Sequence, residues 1–154
     1  MTRLSLWGYE LEVDEQATRA WYAQAEEWGC TCGHCRNFLA LARERKLPEE
    51  ILHILDSLSI PAEKATYVCE LYHDESWEKK GLLYEISWRM AGTVIQTPEK
   101  KQNNGTAWGP PVAFPTFQMM VGHECYNIQP EFPEPSFDLD ISLYLPWVLD
   151  EPLD

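Results

Sequence analysis

The hydrophobic pattern of this chain changes its period at about Pro61, and this change limits the folds that the chain can adopt. Between Asp14 and Pro61 the apolar residues recur at helical spacing, as they do along one face of an amphipathic helix. After Pro61 they alternate with polar residues, which is typical of strands with one buried face. Because helices and strands are segregated along the chain, we predict an α+β fold with the helices packed on one face of an antiparallel sheet.

The sequence predicts an N-terminal strand, three helices and a sheet of about four to five strands, within a single domain over residues 1–154. The first strand covers residues 3–13, where apolar side chains alternate with Glu10 and Glu12. Asp14 can then cap a helix that continues to Trp28. The remaining predicted elements are helices over 36–46 and 48–58 and strands over 67–72, 84–95, 117–121 and 137–145.

The charge of the chain disfavours several classes of partner. Asp and Glu number 25 against 12 Lys and Arg, for a formal net charge of -13. Phosphate backbones and anionic membrane surfaces attract clustered basic residues, so we expect neither nucleic-acid nor membrane binding. After Lys101 all the charged residues are acidic, and such a surface could dock a basic protein partner as an inhibitor does. No signal peptide or apolar span is apparent, so we expect a cytoplasmic protein.

Three cysteines within six residues form the densest group of reactive side chains in the chain. Thiolates bind soft metal ions, and a structural zinc site takes four thiolate or imidazole ligands. The cysteines could supply three ligands, and one of two histidines or a further cysteine could supply the fourth. We therefore predict a metal site, with zinc as the ion. Its candidate ligands are Cys30, Cys32, Cys35, His34, His123 and Cys125.

A second hypothesis is thiol–disulfide exchange. Cys32-Gly-His-Cys35 matches the active-site tetrapeptide of protein disulfide isomerases, which implies Cys32 as nucleophile and Cys35 as resolving thiol. The run Phe114-Pro-Thr-Phe117 resembles the cis-proline region of thioredoxins. However, a thioredoxin fold requires a strand leading into the motif, whereas a helix is predicted there, and Cys30 is foreign to the pattern.

A third interpretation is that the cysteines are reduced and simply packed at the start of a helix, because free cysteine behaves as a small apolar residue.

No G-x-S-x-G, P-loop, dinucleotide or H-E-x-x-H motif is present, so we favour a non-enzymatic role. His73, which precedes Asp74, is interpreted as part of a loop at a strand end. The loop from Asn103 to Pro111, with Trp108, is the best binding candidate outside the cysteines.

Four segments together resemble a family of small bacterial proteins that has no assigned activity. The segments are Trp21-Tyr22, the block Cys30-Thr-Cys-Gly-His-Cys-Arg-Asn-Phe38, the turn from Leu58 to Lys64, and the ending from Leu145 to Pro152. The resemblance spans most of the chain and implies a free-standing bacterial cytoplasmic protein. It transfers no catalytic residue, so the expected function depends on the cysteine cluster.

Overall fold

The computed structural model describes residues 1–99, 109–123 and 131–153. In these residues it contains four helices and a seven-stranded antiparallel sheet, which confirms the α+β class. The sheet has more strands than predicted. In chain order the elements are β1 (Thr2–Leu6), β2 (Tyr9–Val13), α1 (Glu15–Gln24), α2 (Gly33–Arg43), α3 (Glu49–Ser57), β3 (Tyr67–Tyr72), α4 (Trp77–Lys80), β4 (Leu82–Gln96), β5 (Val112–Ala113), β6 (Phe117–Gly122) and β7 (Ser136–Leu145), with a 3-10 turn at Ala62–Lys64.

The first difference from the prediction lies in residues 3–13, which form a hairpin rather than one strand. Trp7 and Gly8 make the two-residue turn, with φ of 47° and 94° respectively. Positive φ at both central residues is the backbone of a turn whose twist matches that of the flanking strands. Leu6 consequently pairs with Tyr9, and β1 becomes an edge strand of the sheet.

The helices differ from the prediction at their ends. Asp14 caps α1 as expected by accepting a hydrogen bond from Ala17 N at 3.0 Å, but the helix ends at Gln24 rather than at Trp28. The second helix begins inside the cysteine cluster, with Cys32 as its N-cap residue.

Among the described residues, no helix is long and apolar enough to cross a membrane.

The sheet is built on β4, a strand of 15 residues. One edge of β4 pairs with β7, and the other edge pairs with β3 near its start and with β2 near its end. Gly92 lies where the pairing with β2 begins, with φ of 141°. A Cβ atom at this position would stand 2.0 Å from Glu12 O, so the close approach of β2 requires glycine.

Helix α1 occupies the edge of β4 between β3 and β2. Asp14 N donates to Ala91 O at 2.9 Å, and Ala91 N donates to Thr18 Oγ1 at 3.1 Å. The buried Tyr22 hydroxyl donates to Arg89 O at 2.6 Å. The backbone groups of β4 that neither β3 nor β2 reaches therefore form hydrogen bonds with α1 and its N-cap residue. These hydrogen bonds attach α1 to the edge of β4.

The even-numbered side chains of β4 form part of the core and meet the helical half of the chain. Tyr84 and Trp88 are both fully buried. The Tyr84 hydroxyl donates to His34 O at 2.7 Å, and Trp88 Nε1 donates to Ala62 O at 3.0 Å. Buried polar atoms on the large aromatic residues are thus paired with the backbone of α2 and of the 3-10 turn.

Polar side chains of β4 and β7 that alternate with the apolar ones are also buried. Arg89 lies opposite Asp138 in the sheet, with Nε 3.1 Å from Oδ1. Ser87 lies opposite Asp140 and donates to its Oδ2 at 2.7 Å. Burial raises the pKa of Asp140 to about 8, against the opposing effect of the Ser87 hydrogen bond. Burial also raises the pKa of Asp138 to about 6, although Arg89 lowers it.

We expect Asp140→Asn to flatten the pH dependence of stability. The pKa of Asp140 is higher in the folded chain than the ordinary value of about 3.9, so the folded state retains a proton that the unfolded state releases. The stabilisation of the folded state by this retained proton is fully present below about pH 4 and is lost as the pH rises towards about 8. From about pH 5 to about pH 8 the free energy of unfolding should fall by about 3–4 kcal/mol more in the wild type than in the variant.

Urea unfolding at the two pH values measures this difference. The exposed Asp56→Asn is the matched control for the loss of a carboxylate, since Asp56 pairs only with the exposed Arg45 in the described contacts. An Asp140→Asn curve parallel to that of the wild type would contradict the expectation.

Candidate metal centre

The three clustered cysteines converge at the start of α2. Cys30 and Cys32 are exposed on the segment that follows α1, and Cys35 is buried in the first turn of the helix. All three are free thiols, and their Sγ atoms lie within 4.8 Å of one another. A tetrahedral zinc ion holds its sulfur ligands about 3.8 Å apart, given Zn–S bonds of about 2.3 Å. Small side-chain rotations would therefore bring the three sulfurs to one ion.

The protonation of the cluster is uneven. Burial raises the pKa of the Cys35 thiol to about 12, opposed by a hydrogen bond from Trp28 Nε1 to Cys35 Sγ at 3.0 Å. The pKa of Cys30 is lowered, first by a hydrogen bond with the backbone of Cys32 and then by one with the Cys35 side chain. Without a metal, Cys30 is therefore easier to ionise than Cys35, which keeps its proton.

The C-terminal segment covers the start of α2. The Arg36 guanidinium forms an ion pair with Glu151 and also donates from Nε to Thr31 O at 3.0 Å. The Trp147 ring lies so close to Gly33 that a Cβ atom there would be 3.2 Å from it. These contacts hold the cysteine-bearing turn against the end of the chain.

Asn37 joins the same two segments from inside the protein. It is fully buried, and its Nδ2 donates to Pro146 O at 3.0 Å and to the Tyr84 hydroxyl at 3.3 Å. Its Oδ1 accepts a hydrogen bond from Val148 N at 2.8 Å. The cysteine block and the segment from Leu145 to Pro152, which are far apart in the sequence, are therefore in contact in the folded chain.

His34 belongs to a second group of ligand atoms, with Glu70 and His73. One ligand atom from each of these residues lies within 4.8 Å of the other two. His73 Nδ1 and Glu70 Oε1 are 2.7 Å apart, and the His34 and His73 ring centroids are 6.4 Å apart. The His34 Nε2 atom is buried, and it has no hydrogen-bond partner in the part of the chain that the structure describes.

Tyr84 lies between the two groups. It pairs with Glu70 in the sheet, and its hydroxyl donates to the backbone of His34. Burial raises the pKa of Tyr84, and the nearby Cys35 and Glu70 raise it further. The cysteine cluster and the His34 group therefore adjoin at the same end of β4.

The candidates for a fourth cysteine-site ligand lie in different places. Among the described residues, no His, Asp or Glu joins the three sulfurs within 4.8 Å, and His34 is grouped with Glu70 instead. His123 follows β6, where its Nε2 accepts a hydrogen bond from Val94 N at 3.4 Å. Val94 is ten positions along β4 from Tyr84, or about 33 Å in an extended strand. Cys125 and residues 103–108 of the predicted binding loop lie outside the described residues.

Sequence reasoning missed Glu70. It placed His73 in a loop at a strand end, which is confirmed because His73 directly follows β3, but it gave His73 no ligand role. The signal that could have found them is weak, since a carboxylate and a histidine three positions apart at a strand end are common. The pairing of β3 with β4 brings both residues to the start of α2. An irregularity in that pairing between Glu70 and Tyr72 also precedes His73.

The thioredoxin-like features lack the context that such a fold provides. In the described chain, Cys32 is preceded by α1 and an irregular segment rather than by a strand. Pro115 lies in the turn between β5 and β6, which is closed by a hydrogen bond from Phe114 N to Phe117 O at 2.8 Å. The tetrapeptide therefore stands in a different architecture from the one that its sequence resembles.

No family model, no curated protein and no solved structure matches this chain. The resemblance to a bacterial protein family therefore stays a prediction. What the protein can do has to be inferred from the two ligand groups and their surroundings.

We expect Asn37→Ala to destabilise the fold by about 2–4 kcal/mol, because it leaves Val148 N and Pro146 O without their buried partner. Urea unfolding measures the loss. Asn37→Asp is the matched variant, since it keeps an oxygen for Val148 N but loses the donor to Pro146 O. A loss below about 0.5 kcal/mol for Asn37→Ala would show that the C-terminal segment does not depend on this residue.

Proposed function

We propose that this protein binds one zinc ion through Cys30, Cys32 and Cys35, and that the ion fastens the irregular segment after α1 to the start of α2. The observation that supports this proposal is the convergence of three free sulfurs within 4.8 Å. Thiolate ligands select soft or borderline ions such as zinc over magnesium or calcium. A metal-binding role therefore suits the chemistry of the donor atoms.

The surroundings of the sulfurs support the same role. The N–H of Trp28 that donates to Cys35 Sγ would stabilise a metal-bound thiolate, as hydrogen bonds from outside a metal's ligands commonly do. Metal binding would also displace the proton that Cys35 holds when no cation is near. Cys30 and Cys32 are exposed, so the ion has a path of entry.

The fourth ligand of the proposed ion comes from water or from outside the described residues. Three protein ligands with water in the fourth position form an open zinc centre, whereas four protein ligands form a closed structural one. Cys125 is the candidate that the sequence offers for the closed form. Docking of a basic protein partner on the acidic surface, which the charge of the chain suggests, stays a prediction.

We expect protein purified without chelators to contain about one equivalent of thiolate-bound metal per chain. Cobalt substitution should produce the thiolate-to-cobalt charge-transfer absorption, and Cys30→Ser or Cys32→Ser should each weaken cobalt binding more than about tenfold. Cys69→Ser is the matched control, because Cys69 lies in β3 outside the cluster. Absence of the charge-transfer band, or equal affinity in Cys32→Ser, would contradict the proposal.

The exposed Cys30, whose Sγ lies within 4.8 Å of Cys35 Sγ and whose pKa is lowered, favours a second candidate function, thiol–disulfide exchange. The Cys30 thiolate would attack one sulfur of a substrate disulfide, forming a mixed disulfide and releasing the other sulfur as a thiolate. Cys35 would then lose its proton to solvent and attack Cys30 Sγ, releasing the second substrate thiolate. The protein would be oxidised by two electrons to a Cys30–Cys35 disulfide. In this arrangement Cys30, rather than Cys32, is the attacking residue.

Alkylation of the metal-free protein, followed residue by residue by mass spectrometry, tests this candidate. We expect Cys30 to react with a midpoint below about pH 8.5, the value for a free thiol, because its hydrogen bonds stabilise the thiolate. Cys69 provides the internal comparison. A Cys30 midpoint at or above about pH 8.5 would count against a nucleophilic role.

A further inference from the structure

We propose that His34, Glu70 and His73 bind a second divalent transition-metal ion, next to the cysteine cluster but independent of it. Two imidazoles and one carboxylate form a ligand set that holds zinc or iron while leaving positions open to water. Neither a zinc ion on the cysteines nor disulfide exchange requires this group. The proposed site therefore goes beyond the function proposed above.

The geometry of the three side chains supports a common ion. One ligand atom from each lies within 4.8 Å of the others, and the ligand atoms of a tetrahedral zinc ion with Zn–N bonds of about 2.1 Å are about 3.4 Å apart. His73 Nδ1 and Glu70 Oε1 already face each other in a hydrogen bond of 2.7 Å, so a small separation of the two atoms would admit a cation between them. A cation there would replace the proton that these two atoms share.

The buried Nε2 of His34 is a separate observation that points to a ligand. Polar atoms that are buried in native proteins nearly always have a partner. This nitrogen has none among the described residues, although the backbone of His34 is held by Tyr84. The His34 ring also packs edge-on against Trp147, with centroids 6.0 Å apart, which limits its freedom to turn towards solvent. A metal ion would supply the missing partner.

The two residues of the His73–Glu70 pair differ in their exposure to solvent. The Glu70 side chain is 12% exposed and the His73 side chain is 32% exposed. An ion from solvent would therefore reach the site past the more exposed His73. Once bound, it would join the start of α2 to the end of β3, two elements that are distant in sequence.

Zinc titration of a Cys30→Ser/Cys32→Ser variant tests the proposal, because this chain lacks two of the three clustered thiols and both substitutions are at exposed positions. Imidazole nitrogen NMR reports on each histidine directly. We expect the ring resonances of His34 and His73 to shift together and to saturate at about one equivalent of zinc. The exposed His53 on α3 should not shift with them. Unmoved rings at His34 and His73, or shifts equal to that of His53, would overturn the proposal.

Substitutions in the same background add a second measurement. We expect Glu70→Gln and His73→Ala each to weaken zinc binding at least tenfold, and His53→Ala, the matched control, to leave it unchanged. Equal affinity in His73→Ala and His53→Ala would overturn the proposal. The ring shifts of the unsubstituted histidines decide the question even if Glu70→Gln does not fold. Because these experiments use a chain without a complete cysteine site, their failure is distinguishable from failure of the thiolate site.

Discussion

A strand of 15 residues presents backbone donors and acceptors along both edges, and those that are buried all need partners. In β4 one edge is completed by a single strand, β7, but the other is shared by β3, α1 and β2 in turn. Three elements therefore follow one another along a single edge of the central strand. The glycine at position 92 permits the last of these approaches, and the hydroxyls of Thr18 and Tyr22 fill the gap that the strands leave. The helical and strand-rich halves of the chain are joined through these hydrogen bonds.

The same strand positions both ligand groups. The Tyr84 hydroxyl reaches the backbone of α2 at His34, and Asn37 on the next turn of that helix reaches the C-terminal segment. The first turn of α2 is thereby enclosed by β3, β4 and the end of the chain. Burial keeps the proton on Cys35, and His34 Nε2 is buried without a partner among the described residues. In the two proposals, one cation would displace that proton and a separate cation would bind His34.

The α+β class could be predicted because the hydrophobic period depends only on neighbours along the chain. The hairpin at Trp7 was missed, although the buried positions change from even to odd numbers between Leu6 and Tyr9, as a two-residue turn requires. The burial of Arg89, Asp138 and Asp140 has no such local signal. These residues alternate with apolar ones, as polar residues on an exposed face of a sheet do. Only the strand register shows that Arg89 lies opposite Asp138 and that Ser87 lies opposite Asp140.

The sequence by itself placed three sulfurs within one short segment, in which five residues of chain can span at most about 18 Å. Their convergence within 4.8 Å is a property of the folded structure. The sequence did not determine what else faces them. His34, adjacent to Cys35, is grouped with Glu70 and His73, whereas His123 lies towards the other end of β4. Long-range strand pairing and the direction of each side chain decided these neighbours, since both arise from packing between distant segments. The cysteine cluster could therefore be found from the chain alone, whereas the second ligand group exists only in the tertiary structure.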